Sequence, residues 1–312
     1  MSASGRTTLD IMMPFYGSAD QFKEAVESVL AQEDRDWRLV VIDDCYPDTA
    51  PGDWLQGLGD TRIEYVRNTE NLGINANFQK SVDLARAEWV TILGCDDRLL
   101  PGYVGLVRQL ATGSSADIIQ VGVHSIDDRG VVSKNLVDRT KDFYRPAFTG
   151  RLRLESEELA RSLMRGNWMY FPALCWRRER IAAHGFRPNL HVVQDLALAV
   201  DVILDGGSLI LESTVAFEYR RHAASVSSWR AADGSRFAEE QDFFHRVAGD
   251  FERRGWRKAA RAARRHASSR LNALTRVPGA LLGLRGAELS VLLRYSLGLP
   301  SRPHVVSETA HR

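Results

Sequence analysis

The sequence predicts an α/β chain: a mostly parallel sheet flanked by helices, with a helical C-terminal extension. Three observations predict it. Apolar runs of strand length recur in the first hundred residues, and each ends on a polar cluster: "LDIMMPFYG", "WRLVVIDD" and "EWVTILGCDD". The segments between them repeat apolar residues at helical spacing. Near residue 240 the composition turns basic and Ala-rich, with "RRGWRKAARAARRHASSR" at 253–270.

The elements follow in order. "LDIMMPFYG" is a short strand that stops at Pro14, Tyr16 and Gly17. "ADQFKEAVESVLAQ" places Phe22, Ala25, Val26, Val29 and Leu30 on one helical face. "WRLVVIDD" is a second strand ending on Asp43 and Asp44, and "RIEYVRN" a third. "INANFQKSVDLARA" is a helix, "EWVTILGCDD" the next strand, and "GYVGLVRQLA" a helix opening just after Pro101. Strands spaced by helices imply βαβ units, a parallel sheet and right-handed crossovers. Further on, "NLHVVQDLALAVDVILDGG" is an amphipathic helix with Asp195 at its start and Leu196, Ala199, Val200 and Ile203 on its apolar face.

Composition excludes several classes. Lys plus Arg is 41 against 40 for Asp plus Glu, so net charge gives no argument for a nucleic-acid partner. Cys45, Cys95 and Cys175 are odd in number and far apart, which fits neither a disulfide framework nor a zinc spacing and points to a reducing, cytoplasmic setting. The N-terminus has no secretory apolar stretch, and no uncharged apolar run is long enough to span a bilayer.

In parallel α/β sheets, ligands sit outside the carboxyl ends of the strands. Pro14–Tyr16, Asp43–Asp44 and Asp96–Asp97 all fall there, so three polar clusters distant in sequence converge on one edge. A lone Asp-Asp is often a turn or a helix cap; the joint pattern is not. No Gly-x-Gly-x-x-Gly follows the first strand, and no Gly-x-x-x-x-Gly-Lys-Ser/Thr loop occurs. Phosphate charge is then neutralised by other means, and Mg²⁺ or Mn²⁺ on strand-end carboxylates suits the task. Adjacent carboxylates closing a buried strand also call for positive charge.

These stretches, taken with "NLGINANFQKSVDLARAEWVTILGCDD", resemble the nucleotide-binding half of family 2 glycosyltransferases with the GT-A fold, from about Leu9 to about Leu110. A looser resemblance continues through "VVQDLALAV" and "YRRHAASVS". It implies a GT-A catalytic domain over 1–240, with a nucleotide-binding half to about 115 and an acceptor half from 116, and a basic, mostly helical extension over 241–312. It implies that Pro14, Phe15 and Tyr16 line the base pocket and that Asp44 hydrogen-bonds the base. Asn71, Gly73 and Asn77 stand beside the diphosphate and donor sugar. Asp97 is the metal ligand, with Asp96 near the ribose or sugar. Many members carry a further aspartate where this chain has Gly94, so the metal rests on one carboxylate plus donor phosphates.

The same resemblance makes Gln194–Asp195 the counterpart of an acidic pair, with Asp195 as general base for an acceptor hydroxyl. The plainer reading of Asp195 is a helix-start residue. "YRRHAASVSSW" resembles an Arg-x-His-x-x-Ser-x-Ser element, with His222 meeting the metal or diphosphate and Arg220 or Arg221 as phosphate forks. Trp168 and Trp176 read as core. The implied activity is inverting transfer from a nucleoside-diphosphate sugar, UDP by preference with dTDP or GDP as alternatives. The acceptor is a glycan, a lipid-linked chain or a small molecule, in polysaccharide or glycolipid synthesis. A non-catalytic nucleotide-sugar-binding homologue, or a nucleotidyltransferase-like enzyme, is the alternative. Retention of Asp44, Asp97 and Asp195 together argues against the first; the lack of a Gly-rich basic loop after the first strand argues against the second. The basic tail reads as a solvated helix, an oligomer contact or a peripheral membrane contact at the inner face.

Overall fold

A computed structural model describes residues 9–221, 235–283 and 286–299. Four strands form the parallel half of one sheet: β1 (Leu9–Phe15), β2 (Trp37–Asp43), β3 (Ile63–Arg67) and β4 (Trp89–Ile92). They lie in the order β3-β2-β1-β4, linked by α1 (Ala19–Leu30), α2 (Ala50–Gly57) and α3 (Ile74–Leu84). In register, Leu9 faces both Trp37 and Trp89, and Phe15 faces Asp43. The ends carrying Phe15, Asp43 and Gly94 are therefore brought level. Both sheet faces are covered, which is why these strands read as continuous apolar runs. Ile11, Met13, Leu39 and Val41 pack on one side against α1 and α4 (Tyr103–Gly113). Met12, Val40, Ile42, Val90 and Ile92 pack on the other, in the larger core.

The second half extends the sheet with mixed polarity. β5 is Arg98–Leu99, β6 Ile118–Ile126, β7 Arg151–Glu155, β8 Leu174–Arg177 and β9 Ser208–Arg220. β8 joins β4 antiparallel, β6 joins β8, and β9 runs parallel to β6. The two-residue β5 follows the Asp96–Asp97 turn directly and pairs with Phe217 and Glu218 of β9. The carboxylate turn is thus clamped between the ends of β4 and β9. Neither β5 nor α2 stands out in the sequence, because both are too short to show a period.

Four helices complete this half: α5 (Leu136–Tyr144), α6 (Ser156–Arg165), α7 (Arg178–His184) and α8 (Gln194–Leu204). α8 is less amphipathic than its spacing suggests. Ala197, Leu198 and Val202 are buried along with the expected apolar face. Trp168 and Trp176 are fully buried, as core residues.

The chain ends in α9 (Ser235–Arg253), α10 (Arg257–Arg265), α11 (Ala267–Leu282) and α12 (Gly286–Ser296). The compositional shift near residue 240 lies inside α9, and Phe243, Val247 and Phe251 join the larger core. The basic run is not solvated all round. Ala259, Ala260 and Ala263 of α10 are buried against α6, which leaves the arginines on the outer face.

Candidate active site

The site forms where β1, β2, β4 and β9 end. At β1, Phe15 and Tyr16 part company. Phe15 is buried and stacks on Phe22 with centroids 4.2 Å apart. Tyr16 is 53% exposed and meets Tyr46 edge-on at 5.7 Å. The expectation that Phe15 lines the base pocket is corrected: as the last residue of β1 it packs with Met13 and Phe22 in the core. Pro14 is half-buried beside it. Tyr46, which no sequence pattern singled out, takes its place in the aromatic wall. It is fixed by its N–H donating to Asp43 Oδ1 at 2.7 Å.

Asp43 and Asp44 both point inward. Asp43 Oδ2 accepts from Arg67 at 2.7 Å and from the Tyr65 hydroxyl. Asp44 Oδ1 accepts from Asn68 Nδ2 at 2.7 Å and from the Leu72 N–H at 2.8 Å, and Oδ2 accepts from the Gly73 N–H at 2.9 Å. With three protein donors on its carboxylate, Asp44 shapes the loop before α3, where direct recognition of the base was expected. Gly73, at φ +81°, turns that loop into the helix, and Asn71 Oδ1 accepts from the same Gly73 N–H at 3.0 Å. Asn77 differs from expectation too. It is buried, with Nδ2 donating to Ile42 O at 3.0 Å and Oδ1 accepting from Asn68 at 3.2 Å, so it braces the strand end instead of facing a sugar.

The Asp96–Asp97 turn is the most charged point. Asp97 is buried, and its Oδ1 accepts the backbone N–H of Arg220 at 2.8 Å. Burial pushes its carboxyl well above the usual range, and the neighbouring Asp96 charge adds to this; the Arg220 N–H and the Arg220 and Arg221 charges pull it down. Gly94 makes the turn possible. A Cβ there would stand 2.6 Å from Asp97 Oδ2 and 2.8 Å from Asp96 Oδ1. In this arrangement the strand end has no room for a third side chain.

Arg220 is corrected as a phosphate fork. Its side chain is fully buried and its guanidinium is committed: to Asp96 O at 2.7 Å, to Asp127 O and Asp128 O at 3.1 Å each, and to Glu24 Oε2 at 2.6 Å. It acts as a brace under the carboxylate turn. Arg221 stays partly exposed, donates to Asp138 Oδ1 at 2.6 Å and lies 4.7 Å over the Tyr219 ring. His222 lies outside the described residues.

Asp195 occupies the first turn of α8 without capping it. The cap comes from Glu239 of α9, whose Oε1 accepts three successive backbone N–H groups, of His191, Val192 and Val193, at 2.9, 2.7 and 3.0 Å. The Asp195 Oδ1 accepts from the adjacent Leu196 N–H at 2.7 Å. Burial raises the Asp195 carboxyl above the usual range; the Leu196 N–H, the Lys141 charge and Asn167 oppose this. Lys141, on α5, donates to Asn167 O at 3.1 Å and to Met169 O, with its ammonium 4.7 Å from the Tyr170 ring. Its ammonium is lowered to about 8, by burial first and then by Arg221, with Asp195 and Asp138 opposing. Gln194 Oε1 is buried without a hydrogen-bond partner among the described residues.

Tyr219 joins the two halves. Its hydroxyl is pushed above its ordinary range by burial first, then by Asp97, with Arg221 opposing and Asp96 and Asp195 adding. One phenol therefore feels all three carboxylates. Lys141, Glu239 and Tyr46 are the participants that sequence reasoning missed; none sits in a recognisable motif.

Among the described residues no group of three or more His, Cys, Asp or Glu side chains gathers to hold a metal. The chemistry of Asp97 nonetheless fits Mg²⁺ or Mn²⁺, which bind through one or two carboxylates with substrate phosphates and water supplying the rest. A buried acid whose charge is opposed by its neighbour is stabilised by a cation.

A parallel half-sheet with a carboxylate turn, an aromatic wall and a half-buried second acid defines a nucleotide-sugar-handling class. Residues 10–185 match glycosyl transferase family 2, and the chain belongs to that family. It is a glycosyltransferase, of the kind that moves a sugar from a nucleoside-diphosphate donor to an acceptor hydroxyl. It is 28% identical over 243 residues to the succinoglycan biosynthesis protein ExoO of Rhizobium meliloti, covering 75% of this chain and 67% of that one. It is 29% identical over 154 residues to a Campylobacter jejuni GalNAc(5)-diNAcBac-PP-undecaprenol beta-1,3-glucosyltransferase, covering 46% and 49%. In fold it is similar to S. aureus TarS 1–349 crystallised with UDP-GlcNAc, with TM-score 0.59 and 13% identity over 96% of this chain and 95% of that one. That likeness supports the GT-A fold.

Proposed function

We propose that the protein transfers a sugar with inversion from a uridine-diphosphate donor to the hydroxyl of a glycan or lipid-linked acceptor, in cell-surface polysaccharide or glycolipid synthesis. The observation that carries this is a buried carboxylate turn held by the Arg220 N–H, together with a second acid, Asp195, that is relieved of capping α8 by Glu239. The relatives named for succinoglycan and undecaprenol-linked sugars, and the UDP-GlcNAc complex of TarS, support the choice of donor and acceptor.

In this reading Tyr16 and Tyr46 flank the base, Asp44 sets the loop that approaches the diphosphate, and Arg221 faces the departing phosphates. A divalent cation, when bound, neutralises the diphosphate; Asp97 would hold it, with Asp96 beside it. Asp195 takes the proton from the acceptor hydroxyl as that oxygen attacks the anomeric carbon, opposite the leaving group. A raised carboxyl pKa suits this role, because a base works best near the operating pH. No helix among the described residues is long and apolar enough to cross a membrane. We place the enzyme at the cytoplasmic face of the membrane, peripherally attached.

The test has two parts. A panel of nucleotide sugars with Mn²⁺ is screened by thermal shift, where a true donor raises the melting point through its affinity for the folded state. Asp195→Asn is then assayed with that donor. A base predicts a loss of kcat of about 10²–10⁴-fold with donor binding little changed. Near-normal turnover, or a product linkage that retains the donor configuration, would refute it.

A further inference from the structure

Away from the active site, five arginines crowd one cleft. Arg257, Arg261, Arg264 and Arg265 of α10 and Arg270 of α11 line it, with Glu252 as the single carboxylate, and its volume is about 550 Å³. Five guanidiniums against one carboxylate leave four positive charges in excess. Glu252 is already paired with Arg264. Among the described residues Arg257, Arg261 and Arg265 have no ion pair or hydrogen-bond acceptor. The packing forces this arrangement. The alanine face of α10 is buried on α6, and the helix start is pinned by Glu157 Oε1 accepting the Lys258 N–H at 2.5 Å and the Ala259 N–H at 3.3 Å. The arginines therefore face one way. Like charges held together in this manner repel, and an anion in the cleft relieves that repulsion.

The rim is apolar. Arg270 is held by Nε donating to His266 Nε2 at 3.2 Å and Nη2 donating to Arg264 O at 3.2 Å. It packs on Gly298, where a Cβ would stand 2.5 Å from Nη1. That close approach brings the end of α12 to the cleft, with Leu297 71% exposed. On α11, directly after Arg270, Leu271, Leu274 and Leu282 are all more than half exposed. Their spacing sets them along one side of the helix. A soluble phosphate needs the arginines and has no use for exposed leucines; a lipid surface uses both.

We propose that this cleft and its leucine rim bind the phosphate headgroups of an anionic lipid bilayer, and so seat the enzyme on the membrane. The proposal deepens the peripheral attachment inferred above and rests on it, but not on the donor or the chemistry. Arg forks take phosphate oxygens bidentately, and the leucines enter the acyl boundary.

The test uses the full chain in co-sedimentation with vesicles of phosphatidylcholine alone or mixed with phosphatidylglycerol. Binding is expected only to the mixed vesicles and should weaken with salt. Arg261→Gln/Arg265→Gln should weaken it about 25-fold, from roughly fivefold per basic residue near an anionic surface. Leu271→Ser/Leu274→Ser should weaken it as well, while both variants keep wild-type melting and wild-type response to the donor nucleotide. Equal binding to both vesicle types, or unaltered binding by the arginine variant, would overturn the proposal. So would competition by inorganic phosphate together with full binding by the leucine variant, which marks a soluble-phosphate site. A wild type that binds mixed vesicles yet responds to no nucleotide sugar would count against the donor reading alone.

Discussion

Replacing Gly94 with alanine should disable the donor site while leaving the fold intact. The new Cβ would lie 2.6 Å from Asp97 Oδ2, 2.8 Å from Asp96 Oδ1 and 3.3 Å from Asp97 Cγ, so both carboxylates must move by several tenths of an ångström. Asp97 can give way only by loosening its 2.8 Å hydrogen bond from the Arg220 N–H. A hydrogen bond to a charged group contributes about 1.5–3 kcal/mol, and forcing a side chain off its rotamer costs about 0.5–1.5 kcal/mol. The loss at the site is therefore about 2–4.5 kcal/mol, or roughly 30- to 1,600-fold in affinity at about 1.4 kcal/mol per decade. The backbone itself is undisturbed: Gly94 is not among the positive-φ residues, and Gly→Ala in a compatible conformation stabilises by about 0.4–1 kcal/mol through the unfolded chain. Calorimetric titration of the nucleoside diphosphate with Mn²⁺ reads the affinity, and thermal melting reads the fold. Wild-type affinity in Gly94→Ala would show that the two carboxylates, in this arrangement, do not serve the donor.

Two further outcomes follow from the acceptor side. Lys141→Met removes the cation that holds the Asp195 carboxyl down, so the acidic limb of the kcat/KM–pH profile should move to higher pH; a purely structural lysine would lower the rate without moving that limb. In the same variant the rise of stability with pH that Lys141 gives the wild type should disappear. Lys141 titrates at about 8 when folded against 10.5 unfolded, the unfolded chain binds more protons between those values, and wild-type stability should rise with pH across that window. Glu239→Ala leaves three backbone N–H groups before α8 without their acceptor, and should cost about 1–3 kcal/mol in urea unfolding. If Glu239 positions Asp195, kcat falls in that variant while donor affinity holds; an unchanged kcat would reduce Glu239 to a structural cap.

The strands of the first half were legible because both of their faces are buried. Continuous apolar runs such as Leu39–Ile42 have no other reading once they end on carboxylates. Asp96 and Asp97 were legible for the same reason, since charge closing a buried strand is conspicuous. The direction of individual side chains was not. Phe15 and Tyr16 are adjacent in sequence, but Phe15 closes β1 inside the core and Tyr16 lies one residue past the strand end, at the surface. Arg220 reads as a phosphate ligand until Asp127 and Asp128 supply the carbonyls that absorb it. Asp44 reads as a base ligand until the loop ahead of α3 returns its N–H groups to it. Glu239 caps a helix that begins more than forty residues earlier, and Lys141 reaches Asp195 through tertiary packing. No local pattern encodes either.

The two acids at the centre share one electrostatic condition. Asp97 and Asp195 are both held where burial raises their carboxyl pKa, and in neither case do the nearby cations cancel the rise. For Asp97 the reason is geometric. Arg220 lies under the turn, but its guanidinium is spread over three carbonyl oxygens and Glu24, and only its backbone N–H touches the carboxylate. The brace fixes position without supplying the missing charge. A group whose folded pKa is raised contributes stability at low pH that is lost as pH rises through that pKa. At neutral pH both acids therefore weaken the fold in their ionised form. A cation with a diphosphate would remove that cost at Asp97, and a proton from an acceptor hydroxyl would remove it at Asp195. The free enzyme keeps each charge unsatisfied where the reaction satisfies it, which is preorganisation written into burial.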